Sequence, residues 1–221
     1  MHAPFSPRRR ATLRLATLLV AALGGVAGLA TTGAAAAEAP VLLVIGDSIS
    51  AGYGLSPGQT WVDLLAAKLA AAGYPYRVVN ASISGDTTAG GRARLPSLLR
   101  QHRPAVVVVE LGGNDALRGG NLAASRANLD AMVKDAQASG AKVLIAGLQL
   151  PPNYGPAYVR QFNALFDDVA KEHKAALVPY VFDGFGDDLA QFQPDRIHPS
   201  AAAQSKILDN VWPALAPLLR K

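Results

Sequence analysis

A serine hydroxyl attacks a carbonyl only when a neighbouring base takes its proton, a carboxylate orients that base, and hydrogen-bond donors await the charge developing on oxygen. Ser48 is placed for such chemistry, directly after the apolar run Val41–Ile45 and the turn Gly46-Asp47. Of the four histidines, His2 stands in the N-terminal segment, and His102 and His173 fall near the ends of expected helices, where a cation is favoured in any case. His198 remains, in the proline-bounded loop Pro194-Asp195-Arg196-Ile197-His198-Pro199. A spacing of three lets one turn bring Asp195 against Nδ1 while Nε2 faces Ser48. Gly85 lacks a Cβ, so its backbone N–H can approach a substrate closely, and Asn114 offers a side-chain amide. Each residue also has a plainer role: Ser48 as a helix cap, Asp195 with His198 as a surface turn, Gly85 and Asn114 as turn residues. Their joint occurrence at the ends of successive strands favours a set for acyl transfer. This chemistry requires neither a metal nor an organic cofactor.

These residues need elements that deliver them to one place. The run Val41–Ile45 reads as a strand buried on both faces. Further strands are expected over 76–81, 105–111, 142–147 and 176–179, the third of these five, with four consecutive valines, at the centre of the sheet. Between them the apolar spacing predicts helices from Trp61 to Gly73, up to about His102, over 122–139 and over 158–174. Thr60 suits the cap of the first, and Ser200 that of a last helix limited by Pro213. Leu150–Pro156 carries three prolines and is expected to be irregular. Strands alternating with helices at this spacing imply parallel βαβ units, hence a three-layer α/β/α sandwich with a parallel sheet. Every residue singled out above then falls on a loop at the carboxyl edge of that sheet, where ligands gather.

Arg8, Arg9, Arg10 and Arg14 precede an apolar stretch to Ala30 and a small-residue tail ending Ala35-Ala36-Ala37. This is the layout of a cleaved export signal over residues 1–37, by the general or the twin-arginine route, with the enzyme domain at 38–221. The segment holds four of the 21 basic residues and none of the 16 acidic ones, so the remaining chain is nearly neutral. A nucleic-acid partner is therefore not expected, and Arg92, Arg94, Arg100 and Arg103 read as a solvated helix face. The absence of cysteine excludes disulfides, thiolate metal sites and a lipid anchor at the export junction. A periplasmic or secreted monomer with no stable membrane anchor is the expectation, acting on a small acyl ester or lipid. Asp47, Asp86 and Asp115 are expected to tie their own loops. Specificity is expected from Tyr53, Ala116–Gly119 and Leu150–Tyr158, with Arg118 either meeting an anionic head group or simply solvated.

Gly46-Asp47-Ser48-Ile49-Ser50, Ser84-Gly85-Asp86, Gly112-Gly113-Asn114-Asp115 and Asp195-x-x-His198 resemble, in order, the four sequence blocks of the GDSL or SGNH hydrolases. The surrounding stretches, Asn80–Thr87, Glu110–Asp115 and Leu150–Gly155, are similar to the branch of bacterial thioesterase I, protease I, lysophospholipase L1 and the arylesterases. The resemblance spans nearly the whole of 38–221. It implies a flavodoxin-like sheet, Ser48 as nucleophile, His198 as base, Asp195 as its orienting acid, and an oxyanion hole from the Ser48 and Gly85 N–H groups with Asn114. Ile49 stands where the family name has leucine, which keeps an apolar anchor. A carbohydrate O-deacetylase on the same scaffold would instead predict a shallow polar cleft, and a binding module a site that does not turn over.

Overall fold

The computed structural model describes residues 38–221; the expected export signal lies outside the described residues. In chain order the elements are β1 Val41–Gly46, α1 Ser48–Ala51, α2 Trp61–Ala71, β2 Arg77–Asn80, α3 Thr88–His102, β3 Val106–Glu110, α4 Gly113–Leu117, α5 Leu122–Ala138, β4 Lys142–Ala146, α6 Pro156–His173, β5 Ala176–Val178 and α7 Gln204–Leu215. All strand pairs are parallel, in the order β2-β1-β3-β4-β5. Helices α3, α5 and α6 pack side by side as one layer, and α2 packs with α7 as the other. The expected three-layer α/β/α sandwich is therefore present, with β3 at its centre. Leu42 to Ile45 of β1 and Val106 to Val109 of β3 are fully buried, as strands covered on both faces must be. Among the described residues no helix is long and apolar enough to cross a membrane.

Because β1 has β2 on one side and β3 on the other, the chain leaves it in opposite directions, and the crevice at their carboxyl ends is the topological switch point. Ser48 follows β1, Gly85 follows β2 and Asn114 follows β3, so two crossovers bring residues far apart in sequence to one edge. Thr60 caps α2 as expected, with Asp63 completing a reciprocal capping box.

Three expectations differ in detail. Pro213 lies inside the last turn of α7, where burial of Val211 and Leu215 holds the helix together past the missing donor. Ser200 does not cap that helix: its hydroxyl is buried without a partner, and the chain enters α7 through a 3-10 turn at Ala201–Ala203. The stretch Leu150–Pro156 carries one 3-10 turn, Pro152–Tyr154, and α4 was not anticipated.

Candidate active site

The end of β1 passes straight into α1, a single helical turn whose first residue is Ser48. Asp47 caps that turn, accepting from the Ile49 N–H at 3.0 Å. The Ser48 hydroxyl lies 2.8 Å from Nε2 of His198, and Nδ1 of the same imidazole lies 2.7 Å from Asp195 Oδ2. The other carboxylate oxygen of Asp195 accepts from the backbone N–H groups of Ile197 and His198, each at 3.0 Å. The carboxylate is thereby fixed in rotation, with one oxygen committed to the loop and the other to the ring. Desolvation raises the Asp195 carboxyl, but those two N–H groups and the imidazole outweigh it and take the group down to about 2. Asp195 stays ionised wherever the protein is folded at ordinary pH.

The histidine loop is pinned by Gln193, which the sequence did not single out, and by Tyr53, which was expected among the specificity residues but does not line the cavity. Gln193 donates its amide to the carbonyls of Tyr53, at 2.7 Å, and Pro199, at 3.2 Å, while its N–H reaches the His198 carbonyl at 2.8 Å. Tyr53 in turn lays its ring against the imidazole, centroids 4.5 Å apart. These contacts set the plane of the ring. A glutamine five residues before the histidine carries no sequence signal of its own.

Asn114 donates to Asp47 Oδ2 at 3.1 Å, which uses one of its two amide hydrogens, and lines the same cavity as Ser48 and His198. Asp47 thus reaches across to the β3 loop as well as tying its own. Asp115 likewise reaches outward, accepting from the backbone and hydroxyl of Thr88 at 2.9 and 2.6 Å and so holding the start of α3. Asp86 does stay local, capping nothing but bonding Thr87 N–H and Arg94. Arg94 is not solvated: it bonds Asp86 at 2.8 Å, the Ala81 carbonyl and the Gly46 carbonyl, joining the ends of β1 and β2. Gly85 sits at the exposed turn beyond β2 with φ of 80°, a conformation that favours glycine. Its carbonyl accepts from Arg118 at 3.2 Å, and the same guanidinium nitrogen approaches Asn114 Oδ1 at 3.5 Å. Arg118 therefore braces the loops that carry Gly85 and Asn114. The structure joins Ser48, His198 and Asp195 directly and sets Asn114 beside them; Gly85 is connected through Arg118 and lies outside the cavity lining.

A cavity of about 260 Å³ opens beside Ser48, Asn114 and His198. Leu117, Leu150 and Pro151 line it as expected, but much of its wall comes from Leu148, Phe162, Phe182 and Phe192, contributed by the segment after β4, by α6 and by the connection after β5. Tyr154 and Tyr158 do not line it. Their hydroxyls bond the carbonyls of Leu117 and Gly120, at 3.5 and 2.9 Å, and so hold the loop that does.

Burial raises the Asp47 carboxyl to about 6, although the Ile49 N–H, the Asn114 amide and the His198 charge each favour its ionised form. The folded chain binds this proton more tightly than the unfolded one, so the stability it contributes is complete below 3.8 and is lost as pH rises through about 6. Between about pH 4 and pH 7 the loss should come to about 2 kcal/mol. Denaturant unfolding of wild type and Asp47→Asn at both pH values should show the variant gaining by that amount relative to wild type at the higher pH. An unchanged difference would mean that Asp47 is ionised throughout.

A parallel sheet with a seryl hydroxyl, imidazole and carboxylate bonded in sequence at its switch point has the architecture of an ester-bond hydrolase of the α/β/α type. The chain belongs to the GDSL-like Lipase/Acylhydrolase family, whose model matches residues 44–206. It is 57% identical over 183 residues to Esterase TesA of Pseudomonas aeruginosa, covering 83% of this chain and 91% of that one. It is 42% identical over 184 residues to the Thioesterase 1/protease 1/lysophospholipase L1 of Escherichia coli K12, covering 83% and 87%. Among solved structures, that of the psychrotrophic esterase EstA from Pseudoalteromonas sp., inhibited by monoethylphosphonate, superposes with a TM-score of 0.76 at 36% identity, over 80% of this chain and 97% of that one. The protein is an esterase of this family.

Proposed function

We propose that this protein is an exported serine esterase whose acyl-enzyme forms on Ser48, with substrates among aryl and acyl esters, lysophospholipids and acyl thioesters. The observation that carries this reading is the bonded series Ser48–His198–Asp195 at the mouth of an apolar cavity. His198 Nε2 takes the hydroxyl proton as Ser48 Oγ attacks the carbonyl, and Asp195 holds the proton of Nδ1 so that Nε2 presents its lone pair. The carbonyl oxygen becomes an oxyanion, received by the Asn114 amide and the N–H groups of Ser48 and Gly85; among the described residues nothing accepts from the Gly85 N–H. The tetrahedral intermediate then collapses, the bond to the leaving alcohol or thiol breaks, and His198 returns the proton to it. Water enters, gives its proton to Nε2, attacks the acyl carbonyl and releases the acid and Ser48. Export follows from the arginine-led apolar segment at 1–37, and N-terminal sequencing of the protein recovered from the cell envelope should begin near Glu38.

The volume and apolar lining of the cavity favour acyl groups longer than acetyl over the carbohydrate O-deacetylase reading, which needs a shallow polar cleft. Each buried methylene is worth about 0.8 kcal/mol, so kcat/KM should climb roughly tenfold for every two carbons until the cavity is full. Hydrolysis of p-nitrophenyl esters from acetyl to palmitoyl tests this. An optimum at acetyl would overturn the acyl-chain reading, and absence of turnover would overturn the esterase mechanism. Leu150→Trp, which fills part of the cavity, should lower kcat/KM for the preferred chain by about tenfold or more while sparing the acetyl ester.

A further inference from the structure

The wall behind Ser48 contains a carboxyl group that the mechanism does not use. Glu110 is the last residue of β3 and is 1% exposed. It stands opposite Gly46 in the register of β1 and β3. A Cβ at position 46 would lie 2.8 Å from Glu110 Oε2, so the glycine there leaves room for the carboxyl group. Oε2 accepts from the Ser50 hydroxyl at 2.7 Å, and the Trp61 indole N–H reaches that hydroxyl at 3.2 Å. An indole N–H can only donate, so Ser50 Oγ accepts from Trp61 and keeps its one hydrogen to donate to Glu110 Oε2. The Ser50 carbonyl is held as well, by the Asn80 amide at 2.8 Å.

These bonds converge on α1, a four-residue helix that carries Ser48 as its first residue and Ser50 as its third. One turn of helix has no stability of its own, because nucleation costs more than its few hydrogen bonds return. Its orientation must be imposed from outside. We propose that Glu110 is a positioning residue for the nucleophile: through Ser50 it anchors α1 to β3 and so fixes the direction of the Ser48 hydroxyl toward the substrate carbonyl. This rests on Ser48 being the nucleophile. Burial, then the nearby Asp47 charge, push the Glu110 carboxyl well above its ordinary range, against the Ser50 hydroxyl and the backbone N–H groups of Asp47 and Ser50. A neutral acceptor is therefore sufficient, and glutamine should replace it.

The test compares Glu110→Gln, Glu110→Met and Ser50→Ala with wild type, by p-nitrophenyl butyrate kinetics, the rate of Ser48 labelling by a fluorophosphonate located by peptide mass spectrometry, and thermal unfolding. Glu110→Met and Ser50→Ala should lower kcat and the labelling rate together by about 10- to 100-fold with KM unchanged, since a misdirected nucleophile loses rate rather than binding. Glu110→Gln should stay within about threefold of wild type. Thermal unfolding records what each variant loses in stability, and Glu110→Gln, which keeps an acceptor for the Ser50 hydroxyl, separates lost rate from lost fold. Wild-type kcat and labelling in Glu110→Met, or in Ser50→Ala should the methionine variant not fold, would overturn the proposal. Wild-type protein that carries no label at Ser48 would instead overturn the nucleophile assignment on which it depends.

Discussion

Ser48→Ala should lower kcat by about a million-fold, and His198→Ala by a similar factor, because the two act as one unit. The alcohol without the base is a neutral nucleophile at ordinary pH, and the base without the alcohol can only activate a water that has no fixed place. The 2.8 Å bond between them is the geometry that makes each useless alone. The double variant should therefore be no slower than either single one. KM should change little, since neither side chain belongs to the apolar wall that holds the acyl chain. The check is p-nitrophenyl ester turnover by all three variants, with fluorophosphonate labelling beside it. Labelling should vanish in Ser48→Ala and fall steeply in His198→Ala. If Ser48→Ala retained more than about a thousandth of the wild-type rate, another group would be the nucleophile.

Asp195→Asn should cost about 10⁴-fold in kcat with the fold intact. An asparagine amide usually has two orientations available, but here the choice is made by the loop. The backbone N–H groups of Ile197 and His198 both require an acceptor at Oδ1, so the substituted NH2 must face the imidazole. It would donate to Nδ1, which forces the ring proton onto Nε2, and Nε2 could then no longer accept from Ser48. The expected loss is thus one of tautomer, with the hydrogen-bonded skeleton preserved. Crystallography or proton NMR of the imidazole would show Nε2 carrying the hydrogen, and thermal unfolding would stay close to wild type. Near-normal turnover would mean that another group sets the tautomer, and the role given to Asp195 would have to be abandoned.

Much of this site can be read along the chain because its parts are local. Ser48 directly follows a buried strand, and Asp195 and His198 share one turn, so their types and spacing carry the geometry without help from the fold. The alternation of strands and helices likewise implies a parallel sheet, since parallel neighbours require crossovers. Asn114 is legible for the same reason, as the polar end of the most apolar strand. Arg94 and Arg118 were not legible. Their partners are carbonyl groups of other loops, Ala81 and Gly46 for one and Gly85 for the other, and backbone carbonyls have no sequence signature. Glu110 was the one charged residue ending a run of valines, which marks it as unusual but does not say what faces it.

The amino-acid sequence by itself determined the sheet class, the nucleophile, base and acid candidates, and the edge of the sheet at which they meet. All of these follow from periodicity and short-range spacing, which the covalent chain sets directly. Only the tertiary structure decided how the site is held and what it accommodates. The cavity beside Ser48 is built from the segment after β4, from α6 and from the connection after β5, the histidine ring is packed by Tyr53 and its loop held by Gln193, and the turn that carries Ser48 is bonded through Ser50 to Glu110, 60 residues away. Such contacts depend on the order in which strands are laid side by side, and that order is fixed by packing the whole core at once rather than by any segment of the chain.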